Sequence, residues 1–231
     1  MHAQAQPAGD ADLASVGALL AEPARAKVLL ALSDGRSLPA SMLAAEAGVA
    51  ASTASHHLAR LVEGGLITVA ARGRHRYYAL AGPDVADLLE AAARVAPPQP
   101  VTSLREGTRA HALRYARRCY DHLAGRLGVA VADALECQGL VVVTDAAFTV
   151  TDAGAERLGE LSFAVAAGEE SRVCRDWTEQ RAHVAGPLGR ALLTGMLERG
   201  WLVRDAHTRA LRLSSAGAAS LASELRVSLP G

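Results

Sequence analysis

The feature that most constrains the fold is the stretch 42–80, in which two helical patterns and two alternating segments follow one another without a break. The segments are a helix that opens at Pro39 and ends at Gly48, a helix over 51–63, and alternating segments at 66–71 and 75–80. Alternation on both sides of a short Arg-Gly-Arg turn predicts a β-hairpin. This order of elements predicts a winged helix-turn-helix, whose second helix enters the major groove of DNA.

The charge distribution agrees with this interpretation. The formal net charge of the chain is zero, which argues against wholesale electrostatic binding of nucleic acid. Residues 51–80 nevertheless contain four arginines and one acidic residue, Glu63, which gives this stretch a net charge of +3. Basic charge is therefore concentrated on the element predicted to contact DNA.

Short hydroxyl and imidazole side chains near a helix N-terminus suit base edges and phosphates, and arginines at a hairpin tip suit phosphates or the minor groove. The predicted DNA-contacting residues are Ser52, Thr53, Ser55, His56, His57 and Arg60 on the helix, and Arg72, Arg74, His75 and Arg76 on the hairpin. The alternative is a polar, solvated helix face with no partner.

These motifs resemble the ArsR (ArsR/SmtB) family of bacterial transcriptional repressors. The resemblance rests on Ser-Thr-Ala-Ser-His-His-Leu at 52–58, Gly-Gly-Leu-Ile at 64–67 and Arg-Gly-Arg-His-Arg-Tyr-Tyr-Ala-Leu at 72–80, and it covers roughly residues 12–95. It implies a homodimer that pairs through the first and last helices of the domain and reads an inverted repeat in double-stranded DNA. It also implies repression that an effector relieves.

Two departures from the family bear on the effector. Metal-sensing members carry Cys-Val-Cys before the reading helix, where this chain has Met-Leu-Ala-Ala-Glu at 42–46, and other members carry Asp/His pairs where Asp84 and Asp87 have no nearby histidine. Sensing is therefore expected in the extra C-terminal domain. That domain resembles the C-terminal extension of a subgroup of such regulators, through the motifs that begin at Cys119 and Cys174.

The sequence predicts a mainly α fold with small β-hairpins (α+β). The predicted organisation is a disordered tail at 1–11, the winged helix-turn-helix and dimerisation domain at 12–95, a Pro-rich linker at 96–101 and a sensing or dimerisation domain at 102–231. Proline-rich segments of this kind cannot extend a helix and form stiff linkers.

The C-terminal domain contains an internal repeat. The motif His-x-Ala-Gly-x-Leu-Gly begins at His122 and again at His183, and each copy is predicted to continue as a helix, a hairpin and a second helix. The predicted pseudo-repeats span 115–160 and 176–225, which would form a tandem helix–hairpin–helix domain with a pseudo-two-fold axis. The alternative is chance similarity in a chain rich in Ala, Gly and Leu.

A thiol–imidazole constellation accompanies the repeat. Cys119 and His122 are predicted to share a helix face, and the second copy offers Cys174, Asp176 and His183. If the copies pack together, these groups would suit a Zn-like divalent metal or a redox switch. The alternatives are simple burial of the cysteines and a capping box in which Asp176 caps a helix and Glu179 reaches back.

A third hypothesis is a small organic effector in the cleft between the copies, because ligand pockets favour such seams. Its predicted lining is Tyr115, Tyr120, Trp177 and Arg181. The alternative is that the aromatic residues belong to the core.

The leading interpretation is a cytoplasmic, dimeric, DNA-binding repressor that is not an enzyme and has an unknown metal, redox or small-molecule effector. The N-terminus lacks signal-peptide features and no apolar stretch is long enough for a membrane span. The competing hypotheses are an enzyme with a cysteine nucleophile and a histidine base, and an interaction module that has lost DNA binding.

Overall fold

The computed structural model describes residues 10–97, 104–206 and 208–230. Its contacts divide the chain into two compact units. The N-terminal unit contains the residues up to Leu30 together with Ser37–Ala81, and the C-terminal unit contains Ala31–Arg36 and the residues from Gly82 onward.

The N-terminal unit is a winged helix-turn-helix. Its elements are α1 (Leu13–Leu20), α2 (Pro23–Leu32, which ends in the C-terminal unit), β1 (Leu38–Pro39), α3 (Ala40–Ala47), α4 (Ala51–Glu63), β2 (Ile67–Arg72) and β3 (His75–Leu80). Gly48 has a φ of 72° and ends α3, which allows the sharp turn into α4. Buried Leu43, Leu58 and Leu61 hold the two helices together.

The wing differs from the prediction by one strand. Pro39, predicted to open the third helix, and the preceding Leu38 pair instead with Tyr77 and Tyr78 of β3. The sheet therefore has three strands in the order β1-β3-β2. Proline is tolerated here because β1 lies at the edge of the sheet, where its missing N–H interrupts no ladder.

The C-terminal unit alternates helices with short antiparallel hairpins. Its elements are α5 (Pro83–Val95), α6 (Leu104–Tyr115), β4 (Arg117–Cys119), β5 (His122–Ala124), α7 (Arg126–Cys137), β6 (Val141–Val143), β7 (Ala147–Val150), α8 (Asp152–Glu160), β8 (Glu170–Arg175), β9 (Ala182–Val184), α9 (Gly186–Glu198), β10 (Leu202–Arg204), β11 (Leu211–Leu213) and α10 (Ser215–Glu224). One apolar core runs through it, with Leu127, Leu135, Leu188 and Met196 fully buried.

The predicted tandem of helix–hairpin–helix units does not describe this architecture. Each copy begins with a further hairpin, β4–β5 or β8–β9, before its first helix. The strands β6, β7, β8 and β9 form one four-stranded sheet that crosses from one copy into the other. The fold is therefore a mixed α/β fold in which the two copies share a sheet.

The repeated glycines explain why the two copies fold alike. Gly125 and Gly186 have φ angles of 84° and 70° and turn the chain from a strand into α7 or α9. A Cβ on Gly128 would lie 2.6 Å from the carbonyl oxygen of Leu123, and one on Gly189 would lie 3.0 Å from Cβ of His122. Glycine at these two positions therefore allows both helices to approach the strands more closely than a residue with a Cβ would allow.

The unit boundary also differs from the sequence prediction, because α5 groups with the C-terminal unit rather than with the winged helix. Most of the predicted tail at 1–11 and most of the predicted linker at 96–101 lie outside the described residues. No helix within the described ranges combines the length and hydropathy that a membrane crossing requires.

Candidate functional site

The predicted reading helix α4 exposes one polar face. Leu58 and Leu61 are buried against the unit, while five of the six helical residues predicted to contact DNA are exposed and His57 is half-buried. The N-cap residue, Ala50, supplies no side-chain hydrogen bond to the first turn. The N–H groups at this helix end therefore lack the capping partner that a Ser or Asp would provide.

The wing presents its arginines at the β2–β3 turn. All four predicted wing residues, Arg72, Arg74, His75 and Arg76, are exposed. The Arg72 guanidinium lies 5.5 Å from the centre of the Tyr77 ring, a cation–π distance. On the helix, Arg60 lies 3.5 Å from the Glu63 carboxylate, which partly offsets its charge.

The structure brings the four predicted thiol and imidazole groups together in the C-terminal unit. Cys119 pairs directly with His122 across β4–β5, and Cys174 pairs with His183 across β8–β9. The prediction that Cys119 and His122 share a helix is wrong, because both residues lie in strands. Cross-strand neighbours on one face stand close together, so each hairpin presents one thiol beside one imidazole.

The two pairs meet in the interior. One donor atom from each of Cys119, His122, Cys174 and His183 lies within 4.8 Å of the other three. The Nε2 atoms of the two histidines are 3.1 Å apart. All four residues are at most 8% exposed. Ala124 and Ala185, the small residues of the repeated motif, pack beside the two cysteines.

Each imidazole turns its other nitrogen toward a carboxylate. Nδ1 of His122 is 3.2 Å from Oδ1 of Asp121, and Nδ1 of His183 is 3.9 Å from Oδ2 of Asp176. The second distance is too long for a hydrogen bond, and Nδ1 of His183 is buried without a partner. The sequence did not indicate Asp121 as a site residue, because adjacency to a histidine gives no signal until the hairpin is known.

The ionisation of the cluster follows from burial and these contacts. The hydrogen bond to Cys174 and burial both raise the pKa of Cys119 well above its usual value. Burial would lower the pKa of His122, but Asp121 and Cys119 outweigh it and raise the pKa to about 9. Burial and the neighbouring His122 lower the pKa of His183 well below its usual value. His183 is therefore a neutral imidazole with a lone pair to donate.

Asp176 is not a helix cap, which corrects the capping-box alternative. Residues 176–179 form a turn between β8 and β9, in which Oδ1 of Asp176 accepts from the N–H groups of Thr178 and Glu179. Its Oδ2 accepts from the Gly125 N–H at 2.7 Å and lies 3.0 Å from the guanidinium of Arg117. Burial alone would raise the pKa of Asp176, but Arg117 holds it well below its ordinary value.

Arg117 links this site to α5. Its side chain is fully buried, with Nη2 3.3 Å from Oε2 of Glu90, while Arg209 lies 3.3 Å from Oε1 of the same carboxylate. Two cations thus face the carboxylates of Glu90 and Asp176. The sequence did not indicate a role for Arg117 or Glu90, because nothing in a basic strand residue or an acidic helix residue indicates burial.

The four residues predicted to line an effector cleft have separate partners. The Tyr115 ring lies 5.7 Å from the Arg126 guanidinium, and Arg181 is exposed and 2.7 Å from Asp133. The Trp177 ring lies 5.2 Å from the Arg117 guanidinium, and Tyr120 occupies the β4–β5 turn with a φ of 54°. A small cavity in this unit is lined by Leu123, Gly128, Val131, Val184, Gly189 and Leu192 instead.

Comparison with known proteins places the chain among transcriptional regulators. A family model described as a helix-turn-helix domain matches residues 20–70. An uncharacterised helix-turn-helix-type transcriptional regulator of Bacillus subtilis, YdfF, is 41% identical over 227 residues, which span 94% of this chain and 99% of that protein. The similarity to YdfF therefore includes both units.

Two shorter similarities are confined to about a third of the chain. The transcriptional regulator CmtR of Mycobacterium bovis is 42% identical over 77 residues, which span 33% of this chain and 64% of CmtR. A solved homodimeric winged helix-turn-helix domain from M. bovis, described as a possible ArsR-family regulator, is 34% identical with a TM-score of 0.32, covering 36% of this chain and 82% of that one.

Proposed function

Because the chain belongs to the ArsR family of helix-turn-helix transcriptional regulators, we propose that it is a repressor that binds an inverted-repeat operator as a homodimer. An effector sensed in the C-terminal unit releases it from DNA. The observation that carries the proposal is the exposed polar face of α4 beside the exposed arginines of the wing. The proposal contains no catalytic step.

The polar residues of α4 contact base edges, and the wing contacts the backbone. The uncapped N-terminus of α4 suits a phosphate, because free N–H groups and the helix dipole both favour an anion there. Arg72, Arg74 and Arg76 add exposed positive charge on the hairpin that follows the reading helix. In a dimer, two reading helices about 34–36 Å apart would reach successive major grooves.

Exposed apolar side chains on the first and last helices support self-association. Leu13 of α1 is 76% exposed, and Leu88 and Val95 of α5 are also exposed. These are the two helices that the family resemblance assigns to the dimer seam. Burying such side chains against a second copy would remove apolar surface from water, which favours association.

A physical connection supports sensing in the C-terminal unit. The turn between Cys119 and His122 is bonded to the end of α2, where the Tyr120 N–H donates to the Ser33 carbonyl oxygen at 2.7 Å. Ser33 directly follows α2, whose first residues belong to the N-terminal unit. A change at this hairpin therefore has a covalent route toward the unit that carries the reading helix.

The test is binding of the full chain to the DNA upstream of its own coding sequence, in the presence of competitor DNA. We expect a complex of two 23.9 kDa chains per site by analytical ultracentrifugation, with an affinity that falls steeply as salt increases. Binding that competitor DNA abolishes at every salt concentration, or one chain per site, would contradict the proposal.

Replacing Arg76 by alanine is expected to weaken this binding on the order of tenfold and to reduce the slope of log affinity against log salt by about one. The physical reason is the loss of one phosphate contact. Arg212→Ala is the matched control, because Arg212 is also an exposed arginine in a short hairpin but lies in β11. Equal effects of the two substitutions would place the DNA elsewhere.

A further inference from the structure

We infer that Cys119, His122, Cys174 and His183 form one closed, four-coordinate site for a zinc-class divalent metal ion that joins the two repeated hairpins. The inference goes beyond the proposed function, because metal binding does not depend on DNA binding. Each copy of the repeat supplies one thiol and one imidazole, and all four groups are buried.

The donor positions suit tetrahedral coordination. Zinc bonds of about 2.3 Å to sulfur and 2.0–2.1 Å to nitrogen place neighbouring tetrahedral donors about 3.4–3.8 Å apart. Here the Nε2 atoms of His122 and His183 are 3.1 Å apart, and no donor is more than 4.8 Å from another. Adjustments of less than about 1 Å would centre an ion among the four.

The carboxylates behind the histidines favour the same arrangement. With both Nε2 lone pairs directed at an ion, both Nδ1 atoms carry the proton and face Asp121 and Asp176. Carboxylates commonly orient metal-bound histidines in this way. An ion would also fix the tautomer of His183, so that the proton on its buried Nδ1 points toward Asp176.

The chemistry of the donors selects the class of ion. Thiolate and imidazole are ligands for zinc and softer divalent ions, whereas Mg²⁺ and Ca²⁺ require oxygen. Binding converts the two thiols to thiolates and requires both imidazoles to be neutral, so the protons that these groups carry are released to solvent. The −2 charge of the thiolates then offsets the +2 charge of the ion without any oxidant. Four protein donors leave no open position, which is typical of a structural site.

The site also explains the repeated motif His-x-Ala-Gly-x-Leu-Gly. The histidine is the ligand, and the alanine packs beside the cysteines. The first glycine turns the chain into the helix, the buried leucine anchors that helix in the core, and the second glycine allows it to approach the ligand-bearing strands. Every fixed position of the motif thus contributes to placing a ligand.

The experiment uses the reduced, full-length protein after removal of metal by a chelator, titrated with Co²⁺ as a spectroscopic probe. We expect saturation at one equivalent, with sulfur-to-cobalt charge-transfer absorption and the intense visible bands of tetrahedral cobalt, and displacement of Co²⁺ by Zn²⁺. Saturation should also raise the unfolding temperature of the protein, because the ion binds the folded state.

Cys119→Ser and Cys174→Ser are each expected to weaken metal binding by more than about 100-fold, since loss of a ligand should exceed the effect of losing an outer partner. Cys137→Ser is the matched control, because Cys137 is an exposed cysteine at the end of α7. The inference is overturned if reduced wild-type protein takes up neither ion, if the cobalt spectrum lacks the sulfur band, or if the Cys137→Ser variant is the one that loses binding. The first two outcomes need no variant to fold.

Asp121→Asn tests the outer carboxylate. We expect metal affinity about 10–100-fold weaker than in the wild type, with an unchanged tetrahedral cobalt spectrum, because all four ligands remain. Asp133→Asn is the control, since Asp133 pairs with Arg181 at 2.7 Å just as Asp121 pairs with Arg190 at 2.7 Å. An unaltered affinity in Asp121→Asn would show that this carboxylate does not orient His122.

Discussion

Replacing Arg117 by methionine is expected to lower the free energy of unfolding of the C-terminal unit by about 3–5 kcal/mol. The Arg117 side chain is fully buried and lies 3.0 Å from Asp176 and 3.3 Å from Glu90. Methionine fills a similar volume, but it leaves the buried Asp176 carboxylate without its cationic partner. The free-energy cost of an uncompensated buried charge exceeds the stabilisation that the buried methionine side chain provides.

Urea unfolding followed by tryptophan fluorescence measures this change, because both tryptophans of the chain, Trp177 and Trp201, belong to the C-terminal unit. Circular dichroism should be recorded as a second probe of unfolding. The Trp177 ring lies 5.2 Å from the Arg117 guanidinium, so the fluorescence of Trp177 also responds to the substitution itself. Measurements in excess chelator keep metal binding from contributing to the result.

Arg172→Ala is the control for Arg117→Met. Arg172 also pairs with an aspartate, Asp87 of α5, but its side chain is 52% exposed and that of Asp87 is 39% exposed. Solvent screens such pairs, so we expect a loss below about 1 kcal/mol. The double variant Arg117→Met/Asp176→Asn should lose less than the sum of its single variants, because the unpaired charge is gone. Strict additivity would contradict the charge argument.

The winged helix could be predicted from the sequence because its signals are local. The α4 boundaries at Ala51 and Glu63 and the β3 boundaries at His75 and Leu80 agree with the prediction, since helix periodicity, glycine turns and strand alternation all act within a few residues. The strand β1 was missed, because Leu38–Pro39 has no pattern of its own and is defined only by its pairing with β3.

The thiol–imidazole cluster could be predicted only in part from the sequence. Convergence could be suggested from the repeat, but the spacing Cys-x-x-His at Cys119 and His122 was assigned to a helix face. The same cross-strand pair recurs at Cys174 and His183 with a longer connection between the strands. Strand register makes the two pairs equivalent, and register depends on partners distant in sequence. A search for one fixed spacing therefore could not have matched the two pairs to each other.

Replacing Gly154 by alanine is expected to lower the free energy of unfolding by at least about 3 kcal/mol. Gly154 lies in the first turn of α8, where its N–H donates to the hydroxyl oxygen of the N-cap Thr151 at 2.9 Å. A Cβ added there would fall well inside contact distance of the Leu140 carbonyl oxygen and 2.8 Å from its carbonyl carbon. Both are backbone atoms, so the clash is relieved only if α8 moves away from Leu140, which directly precedes the β6–β7 hairpin.

Gly159→Ala, in the same helix, is the control. Gly159 is exposed, and a Cβ there would meet nothing within 4 Å. Alanine also has the higher helix propensity, so this variant is expected to gain up to about 1 kcal/mol. The same urea and fluorescence measurement serves both variants. Similar stabilities for Gly154→Ala and Gly159→Ala would mean that α8 does not approach Leu140 as closely as the structure indicates.

The repeat supplies an independent check on the same cause. Gly217 occupies the equivalent position in α10, where the Ser214 hydroxyl accepts from its N–H at 2.9 Å. A Cβ on Gly217 would lie 2.6 Å from Cα of Trp201. Gly217→Ala should therefore destabilise the unit to a similar extent as Gly154→Ala. In each copy the helix begins against the backbone of the residue that directly precedes the hairpin, which is Leu140 before β6 or Trp201 before β10. A large loss in one variant alone would mean that the two copies do not share this packing.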